Sequence, residues 1–225
     1  MKIDSARALV TGGSSGIGLA TAKLLASRGA KVAICGRDRA KLERAAGEIG
    51  ALAIPADVSR ESDAIRLVEQ TIARFDDYNV LVNNAGFGSF APLLETSVDE
   101  MRRVYETNVF GAMVVARESA KHFVKRQYGN IVNVDSSAGV RGFAGGTAYA
   151  SSKFALRGMT ECWRAELRKF NIRVMQINPS EVQTGFFQGR AFSPRKLVAD
   201  DIAQAIEAML SLEDRGFVTE MAVWA

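Results

Sequence analysis

The stretch ALVTGGSSGIGLA, residues 8–20, decides the fold class of this chain. It begins with an apolar run typical of a buried strand, and helix-like spacing of apolar residues starts at Ile17. Between the two, three glycines follow the pattern G-x-x-x-G-x-G. Small residues at a strand-to-helix turn let backbone N–H groups approach a pyrophosphate, and the helix dipole favours its negative charge. The stretch therefore predicts a dinucleotide-phosphate site rather than an ordinary glycine-rich loop. The predicted contact residues are Gly12, Ser14, Ser15, Gly16, Ile17 and Gly18.

Short apolar runs alternate with segments of helical spacing from one end of the chain to the other. The predicted strands cover residues 8–10, 31–35, 51–55, 80–82, 130–134, 173–177 and 217–223. The predicted helices cover residues 17–27, 39–49, 64–75, 98–126, 150–170 and 200–212. This alternation predicts an α/β fold of the Rossmann type, a doubly wound, seven-stranded parallel sheet with helices on both faces. No linker or repeat divides the chain, so residues 1–225 are predicted to form one domain, with residues 185–197 as a lid loop over the substrate.

The composition excludes several classes of protein. The chain has 225 residues, 48% apolar and 24% charged, which is typical of a soluble globular domain and not of a disordered or collagen-like chain. Its net charge of +4 comes from scattered basic residues, so a nucleic-acid partner is disfavoured and an anionic small ligand is favoured. Two distant cysteines and a single histidine argue against a metal site. No apolar run approaches about 18 residues, so we expect no membrane segment and a cytoplasmic protein.

The sequence ICGRD, residues 34–38, follows the second predicted strand, at the place where a dinucleotide site faces the adenosine ribose. An acidic residue there accepts hydrogen bonds from a ribose 2′-hydroxyl, whereas an arginine accommodates a 2′-phosphate. Gly36 leaves room and Arg37 supplies a planar guanidinium for phosphate, so NADP(H) is favoured over NAD(H). The adjacent Asp38 leaves NAD(H) open, and a solvated surface charge is the alternative interpretation of Arg37.

Tyr149 and Lys153 lie four residues apart in a helical segment, so both side chains share one face. A free phenol has a pKa of about 10 and is almost wholly neutral at pH 7. A neighbouring ammonium is expected to lower the pKa of the phenol, so that Tyr149 acts as an acid or a base near neutral pH. Alone the pair is a weak signal. Ser136, however, lies thirteen residues before Tyr149 at the end of a predicted strand, which is where ligands bind parallel sheets.

Together these motifs resemble the compact, single-domain branch of the short-chain dehydrogenase/reductase family, in the same order and spacing over residues 11–184. The resemblance implies the catalytic residues Asn108, Ser136, Tyr149 and Lys153. It implies further cofactor contacts from Asp57, Val58, Asn84, Ala85, Gly86, Tyr149, Lys153, Pro179, Val182 and Thr184, and substrate contacts from Ser136, Tyr149 and Phe186. The chain departs from the family at residues 178–180, which are Asn-Pro-Ser where the family has Asn-Pro-Gly, so a Cβ is added beside the expected nicotinamide contact.

The resemblance also implies an activity, that of an NADP(H)-dependent oxidoreductase that interconverts a carbonyl and an alcohol. A 3-oxoacyl-ACP-reductase-like enzyme and another ketone or aldehyde reductase both fit this description. In this scheme Ser136 hydrogen-bonds the substrate oxygen and Tyr149 donates the proton. Lys153 holds the nicotinamide ribose, and Asn108 fixes a water that relays protons. The alternative is a catalytically silent NADP-binding regulatory protein, which would not need Ser, Tyr and Lys at these intervals.

The substrate stays open between a β-ketoacyl thioester, a steroid-like ketone and a small aldehyde. Phenylalanines in loops near the predicted pocket favour an apolar ketone or alcohol, although loop packing alone would also explain them: Phe87, Phe90, Phe143, Phe186, Phe187 and Phe192. Arg141 and Arg190 are candidates for a carboxylate clamp. By resemblance to family dimers and tetramers, the helices at 98–126 and 150–170 are expected to form a homodimer or homotetramer.

Overall fold

The computed structural model describes residues 1–186 and 193–225. Within that part of the chain, one sheet is formed by β1 (Arg7–Val10), β2 (Lys31–Gly36), β3 (Leu52–Pro55), β4 (Val80–Asn83), β5 (Gly129–Val134), β6 (Ile172–Pro179) and β9 (Glu220–Val223). All pairs are parallel, in the order β3-β2-β1-β4-β5-β6-β9. The chain runs outward from β1 to β3 and then returns to β4 on the other side of β1. The predicted Rossmann-type sheet of seven parallel strands is confirmed.

Helices cover both faces of this sheet. They are α1 (Gly16–Ser27), α2 (Arg39–Ile49), α3 (Glu61–Arg74), α4 (Val98–Tyr105), α5 (Ala112–Arg126), α6 (Thr147–Leu167) and α7 (Ala199–Ser211). Alternate strand residues enter opposite layers, because side chains of a strand point to its two faces in turn. Val10 packs in the layer that holds Leu25 of α1 and Ile206 of α7. Leu9 packs in the opposite layer, with Phe123 of α5.

Several helix and strand boundaries differ from the prediction. The predicted helix at 98–126 is interrupted by a π-helical segment, Glu106–Gly111, which separates α4 from α5. A Cβ on Gly111 would lie 2.6 Å from the carbonyl oxygen of Val58, so this segment packs closely against the loop after β3. α3 begins at residue 61 rather than 64, and α6 begins at 147 rather than 150. The last strand begins at residue 220 rather than 217.

The segment predicted as a lid, residues 185–197, is anchored at its base. A short parallel pair, β7 (Val182–Gln183) and β8 (Leu197–Val198), joins its two ends, so Leu197 belongs to a strand. The Gln183 side chain donates to the carbonyls of Ser193 and Lys196, at 2.8 and 3.1 Å. The predicted contacts of Phe187, Arg190 and Phe192 lie outside the described residues.

Among residues 1–186 and 193–225, none of the helices combines the length and the hydropathy that a membrane-spanning segment needs. The same residues contain no group of three or more His, Cys, Asp or Glu side chains placed to hold a metal ion.

Candidate active site

A cleft of about 1140 Å³ lies at the carboxyl ends of the strands. It includes the point between β1 and β4 where the strand order reverses, which is where ligands bind in open α/β sheets. Asn108 and Gly18 lie behind its wall rather than on it. The other predicted site residues all line this one cleft: Gly12, Ser14, Ser15, Gly16, Ile17, Arg37, Asp57, Val58, Asn84, Ala85, Gly86, Ser136, Tyr149, Lys153, Pro179, Val182, Thr184 and Phe186.

The glycine-rich turn at the start of α1 requires glycine for steric reasons. Gly12 and Gly16 have φ of +65° and +55°, a backbone conformation that side chains disfavour. A Cβ on Gly18 would lie 2.5 Å from the Gly12 carbonyl oxygen, which is backbone and cannot move aside cheaply. No side chain caps the first turn of α1, so its N–H groups remain available to an anion. The turn therefore fits a bound pyrophosphate.

Asn84, in the loop after β4, holds the turn in place. Its side-chain Nδ2 donates to the carbonyl of Thr11 at 2.8 Å. The Thr11 hydroxyl accepts from the backbone N–H groups of Asn84 and Ala85, both at 2.9 Å. The two neighbouring strands β1 and β4 are thus tied together at the mouth of the cleft. Asn84 and Ala85 shape the cradle as well as line it.

Positively charged side chains that follow β2 line the part of the cleft where the adenosine is expected. Arg37 lines the cleft together with Lys41, which the sequence reasoning did not single out. Asp38 caps α2, because its Oδ1 accepts a hydrogen bond from the backbone N–H of Lys41 at 3.0 Å. Gly36 leaves the space beside Ser14 open, since a Cβ there would lie 3.1 Å from the Ser14 hydroxyl. Arg37 and Lys41 therefore make this side of the cleft positively charged, as an anionic group requires.

The loop after β3 closes the far end of the cleft. The Asp57 carboxylate accepts from the backbone N–H and the hydroxyl of Ser59, at 3.1 and 2.7 Å. The Asp57 N–H donates to the Asp63 carboxylate at 3.1 Å. These bonds hold Asp57 and Val58 in a rigid bend that lines the cleft.

Tyr149 lies near the start of α6 and is buried within the cleft wall. Burial raises the pKa of its phenol to about 12; a hydrogen bond with Ser136 acts in the lowering direction, and the charge of Asp135 raises it further. The predicted lowering of the pKa of this phenol is therefore wrong, because the net shift is upward. A phenolate in an apolar surrounding loses its solvation, which disfavours the charged form.

Lys153 is also buried, at 5% exposure, and its Nζ donates to the carbonyl of Val134 at 2.8 Å. Burial lowers the pKa of this ammonium, and the nearby Asp135 raises it. Ser136 begins a short 3₁₀ turn, and its hydroxyl accepts from the N–H of Ala138 at 3.1 Å. The three predicted groups Ser136, Tyr149 and Lys153 thus lie together on one wall.

Asn108 sits in the π-helical segment and is 1% exposed. Its Oδ1 accepts from the N–H of Phe87 at 3.0 Å, and its Nδ2 donates to the carbonyl of Phe87 and to the hydroxyl of Ser152. Both amide protons are therefore used within the protein. The side chain positions the loop after β4 against α6, and neither of its amide protons is left for the predicted water.

Aromatic rings pack around the ring of Tyr149. The ring centroids of Phe90 and Phe186 lie 5.5 and 5.4 Å from that of Tyr149. The ring centroid of Phe143 lies 6.0 Å from that of Phe90, and Phe143 is half exposed. These three phenylalanines and Tyr149 form what we call the aromatic wall. Arg141 lines the same cleft.

The comparisons with known proteins agree with this geometry. The family model described as short chain dehydrogenase matches residues 6–192 of the chain. The chain belongs to the short-chain dehydrogenase family. The "Uncharacterized oxidoreductase YxnA" of Bacillus subtilis (strain 168) is 37% identical over 186 residues, which are 79% of this chain and 52% of that relative. The chain thus spans about half the length of that curated relative.

Two solved structures of this family superpose on nearly the whole chain. One is the 3-ketoacyl-(acyl-carrier-protein) reductase from Brucella melitensis complexed with NADH, with a TM-score of 0.90, 32% identity, and coverage of 98% of this chain and 97% of that one. The other is the alcohol dehydrogenase from the archaeon Thermococcus sibiricus complexed with 5-hydroxy-NADP, with a TM-score of 0.90 and 27% identity. This superposition covers 96% of the present chain and 95% of the alcohol dehydrogenase chain.

The structure adds to what the sequence predicts for this family member. The sequence places Phe90 among the phenylalanines near the pocket, and the structure shows that its ring packs on that of Tyr149. Asp135 was passed over, although an acidic residue directly after an apolar strand and before Ser136 is an available signal. Ser180, the departure from the family pattern, donates its N–H to the carbonyl of Val223 at 2.8 Å and so continues the β6–β9 pairing.

Proposed function

We propose that this protein is an NADP(H)-dependent oxidoreductase that interconverts a carbonyl and an alcohol, with Tyr149 as the proton donor. The observation that carries the proposal is that Tyr149, Lys153 and Ser136 share one cleft with the glycine-rich turn. A bound nicotinamide dinucleotide would supply the redox chemistry, and the protein supplies position and proton. Residues of the turn would hold its pyrophosphate, and Pro179, Val182 and Thr184 line the end of the cleft where its carboxamide is expected.

Ser136, Tyr149 and Lys153 have separate roles in the proposed reaction. The Ser136 hydroxyl hydrogen-bonds the substrate oxygen and orients it toward Tyr149. In the reduction direction, the phenol O–H of Tyr149 breaks and its proton moves to the substrate oxygen. Because burial raises the pKa of this phenol, Tyr149 holds the proton that it donates. Lys153 stabilises the phenolate that remains, and solvent returns the proton.

The aromatic wall supports an apolar carbonyl compound as substrate. Phe90, Phe143 and Phe186 add partly exposed apolar surface to the cleft near Tyr149, and a small hydrophilic aldehyde would leave this surface uncovered. The name of the Brucella relative, a 3-ketoacyl-(acyl-carrier-protein) reductase, is consistent with such a substrate. Arg141 also lines the cleft, and its guanidinium would pair with a negatively charged group of such a substrate.

The test is a panel of apolar ketones, β-ketoacyl thioesters and small aldehydes, each offered with NADPH and with NADH. The expected result is NADPH oxidation with at least one apolar ketone, faster than with any small aldehyde of the panel. Dinucleotide binding without oxidation by any member of the panel would instead favour the silent regulatory protein.

Arg37→Ala is expected to raise the KM for NADPH and leave the KM for NADH nearly unchanged. A charge-assisted hydrogen bond contributes about 1.5–3 kcal/mol, which corresponds to a roughly 10–100-fold change. Arg39→Ala is the matched control, because Arg39 is a neighbouring, 74% exposed arginine of α2 that does not line the cleft. An equal effect of Arg37→Ala on both dinucleotides would contradict the assignment of the 2′-phosphate to Arg37.

We also propose a homodimer or homotetramer built on α4, α5 and α6. Large apolar side chains stand exposed on these helices and on the segment between α4 and α5: Val98, Phe110 and Phe154 are 65%, 51% and 47% exposed. Exposed apolar surface of this kind is typical of an interface. Sedimentation equilibrium tests it, and a strictly monomeric species of 24.3 kDa at micromolar concentration would contradict it.

A further inference from the structure

The residue directly before Ser136 is an aspartate that the proposed mechanism does not use. Asp135 is 4% exposed, and its Oδ2 accepts a hydrogen bond from Gln176 Nε2 at 3.0 Å. Its Oδ1 is buried without a hydrogen-bond partner among the described residues. A buried carboxyl oxygen without a partner is costly, so its presence beside the proton donor needs a physical explanation.

The local fold is shaped around this carboxyl group. A Cβ on Gly139 would lie 2.2 Å from Asp135 Oδ2, so the turn after β5 has no room for a side chain there. Behind Asp135, Gln176 donates to Asn178 Oδ1 at 2.7 Å, and Asn178 donates to Glu220 at 2.5 Å. The carboxyl group is thus tethered on its sheet side through Oδ2, while Oδ1 accepts no hydrogen bond from the described residues.

The charged groups that act on Asp135 come from two elements. Lys153 and Arg157 face it from α6, and Glu220 faces it from β9. Arg157 is already engaged, because its guanidinium donates to both carboxylate oxygens of Glu220, at 2.7 and 2.9 Å. Lys153 donates to the carbonyl of Val134, the residue next to Asp135 in the chain. The buried Lys153 ammonium needs a negative charge, and among these groups Asp135 is the carboxylate that no cation has yet neutralised.

We propose that Asp135 is a positioning residue, the counter-charge that keeps the Lys153 ammonium protonated beside Tyr149. The inference rests on the proposed function, since Asp135 acts on catalysis through Lys153 and Tyr149. It goes beyond that function, because it assigns a role to a carboxyl group outside the set of Asn108, Ser136, Tyr149 and Lys153.

The directions of the pKa shifts agree with this pairing. Burial raises the pKa of Asp135 to about 7, and Lys153 and Arg157 act to lower it. In return, the Asp135 charge raises the pKa of Lys153 and of Tyr149. Above about pH 7 the carboxylate is therefore charged and keeps Lys153 cationic and Tyr149 protonated, which are the forms that carbonyl reduction requires.

Asp135→Asn is the direct test, because asparagine keeps the shape and can still accept from Gln176 but carries no charge. We expect the alkaline limb of the pH profile of kcat/KM for carbonyl reduction to move to lower pH by about one unit. Above the limb, kcat/KM should therefore fall roughly tenfold, and near pH 6 it should change little. Gln176→Met is the matched control, since it removes the hydrogen bond to Oδ2 and keeps the charge, so the limb should stay in place. A merely structural Asp135 would instead lower kcat equally at every pH, and that result would overturn the proposal.

A second readout needs no turnover. In a ¹³C NMR titration of the lysine Cε groups, with Lys153 assigned through Lys153→Arg, the pKa of Lys153 should fall in Asp135→Asn relative to the wild type. An unchanged Lys153 pKa overturns the proposal even in an active enzyme. If the pKa falls but no carbonyl in the panel is reduced, the charge pairing stands and the proposed function fails.

Discussion

Tyr149→Phe is expected to reduce kcat for carbonyl reduction by about 10²–10⁴-fold, the usual contribution of a positioned general acid. The substitution removes only the hydroxyl. The ring remains, so the packing of Phe90 and Phe186 against it is preserved. Because the glycine-rich turn is untouched, the Kd for NADPH should change little. Stopped-flow or steady-state NADPH oxidation gives kcat, and dinucleotide fluorescence gives Kd.

Tyr128→Phe is the control for this experiment. Its hydroxyl donates a long hydrogen bond, 3.3 Å to Asp214, and among the described residues Tyr128 is not part of the cleft lining. Loss of the Tyr128 hydroxyl should leave kcat within about twofold of the wild-type value, because a substitution far from the core and from the active site has a small effect. If Tyr149→Phe kept the wild-type kcat, another group would be the proton donor and the proposed mechanism would be wrong.

Gly18→Ala is expected to cost about 1–3 kcal/mol of unfolding free energy and to weaken dinucleotide binding severely. The added Cβ would meet the Gly12 carbonyl oxygen at 2.5 Å and Asn84 Nδ2 at 2.6 Å. Relief of these contacts requires the turn to move away from α1, which opens the anion cradle. Denaturant unfolding measures the first effect, and a titration with NADPH measures the second.

Gly47→Ala provides a matched control with the opposite expected sign. Gly47 is also helical, in α2, but nothing lies within 4 Å of the position its Cβ would take. Alanine there should stabilise the protein by about 0.5–1 kcal/mol, since glycine is a poor helix former. Equal effects of Gly18→Ala and Gly47→Ala on stability and NADPH affinity would show that the close contact at Gly18 does not matter.

The parts of the site that could be predicted from sequence depend on short-range spacing. Tyr149 and Lys153 share a face because a helix nearly completes a turn in four residues. Ser136 and Asn84 each follow a run of strand residues, and the carboxyl ends of parallel strands meet at one edge of a sheet. The structure places these residues on one cleft, while their individual catalytic roles stay predictions.

The parts that could not be predicted depend on contacts between distant segments. The helical spacing over residues 98–126 indicated neither the π-helical segment that contains Asn108 nor the hydrogen bonds by which Phe87 and Ser152 occupy its amide group. Nothing in residues 34–38 shows that Asp38 is engaged as a helix cap. The start of α6 was placed three residues late, because local propensity alone does not locate the end of a helix.

By itself, the amino-acid sequence determined the α/β class, the number of strands in the main sheet and the identity of the glycine-rich turn, because strand and helix periodicities and a glycine pattern are local properties. Only the tertiary structure decided the electrostatics. Burial raises the pKa of Tyr149, and it leaves an oxygen of Asp135 without a hydrogen-bond partner among the described residues; both result from the packing of segments that are far apart in the chain. Solvation is lost only when such segments pack together, so no spacing rule encodes the charge state of a buried group.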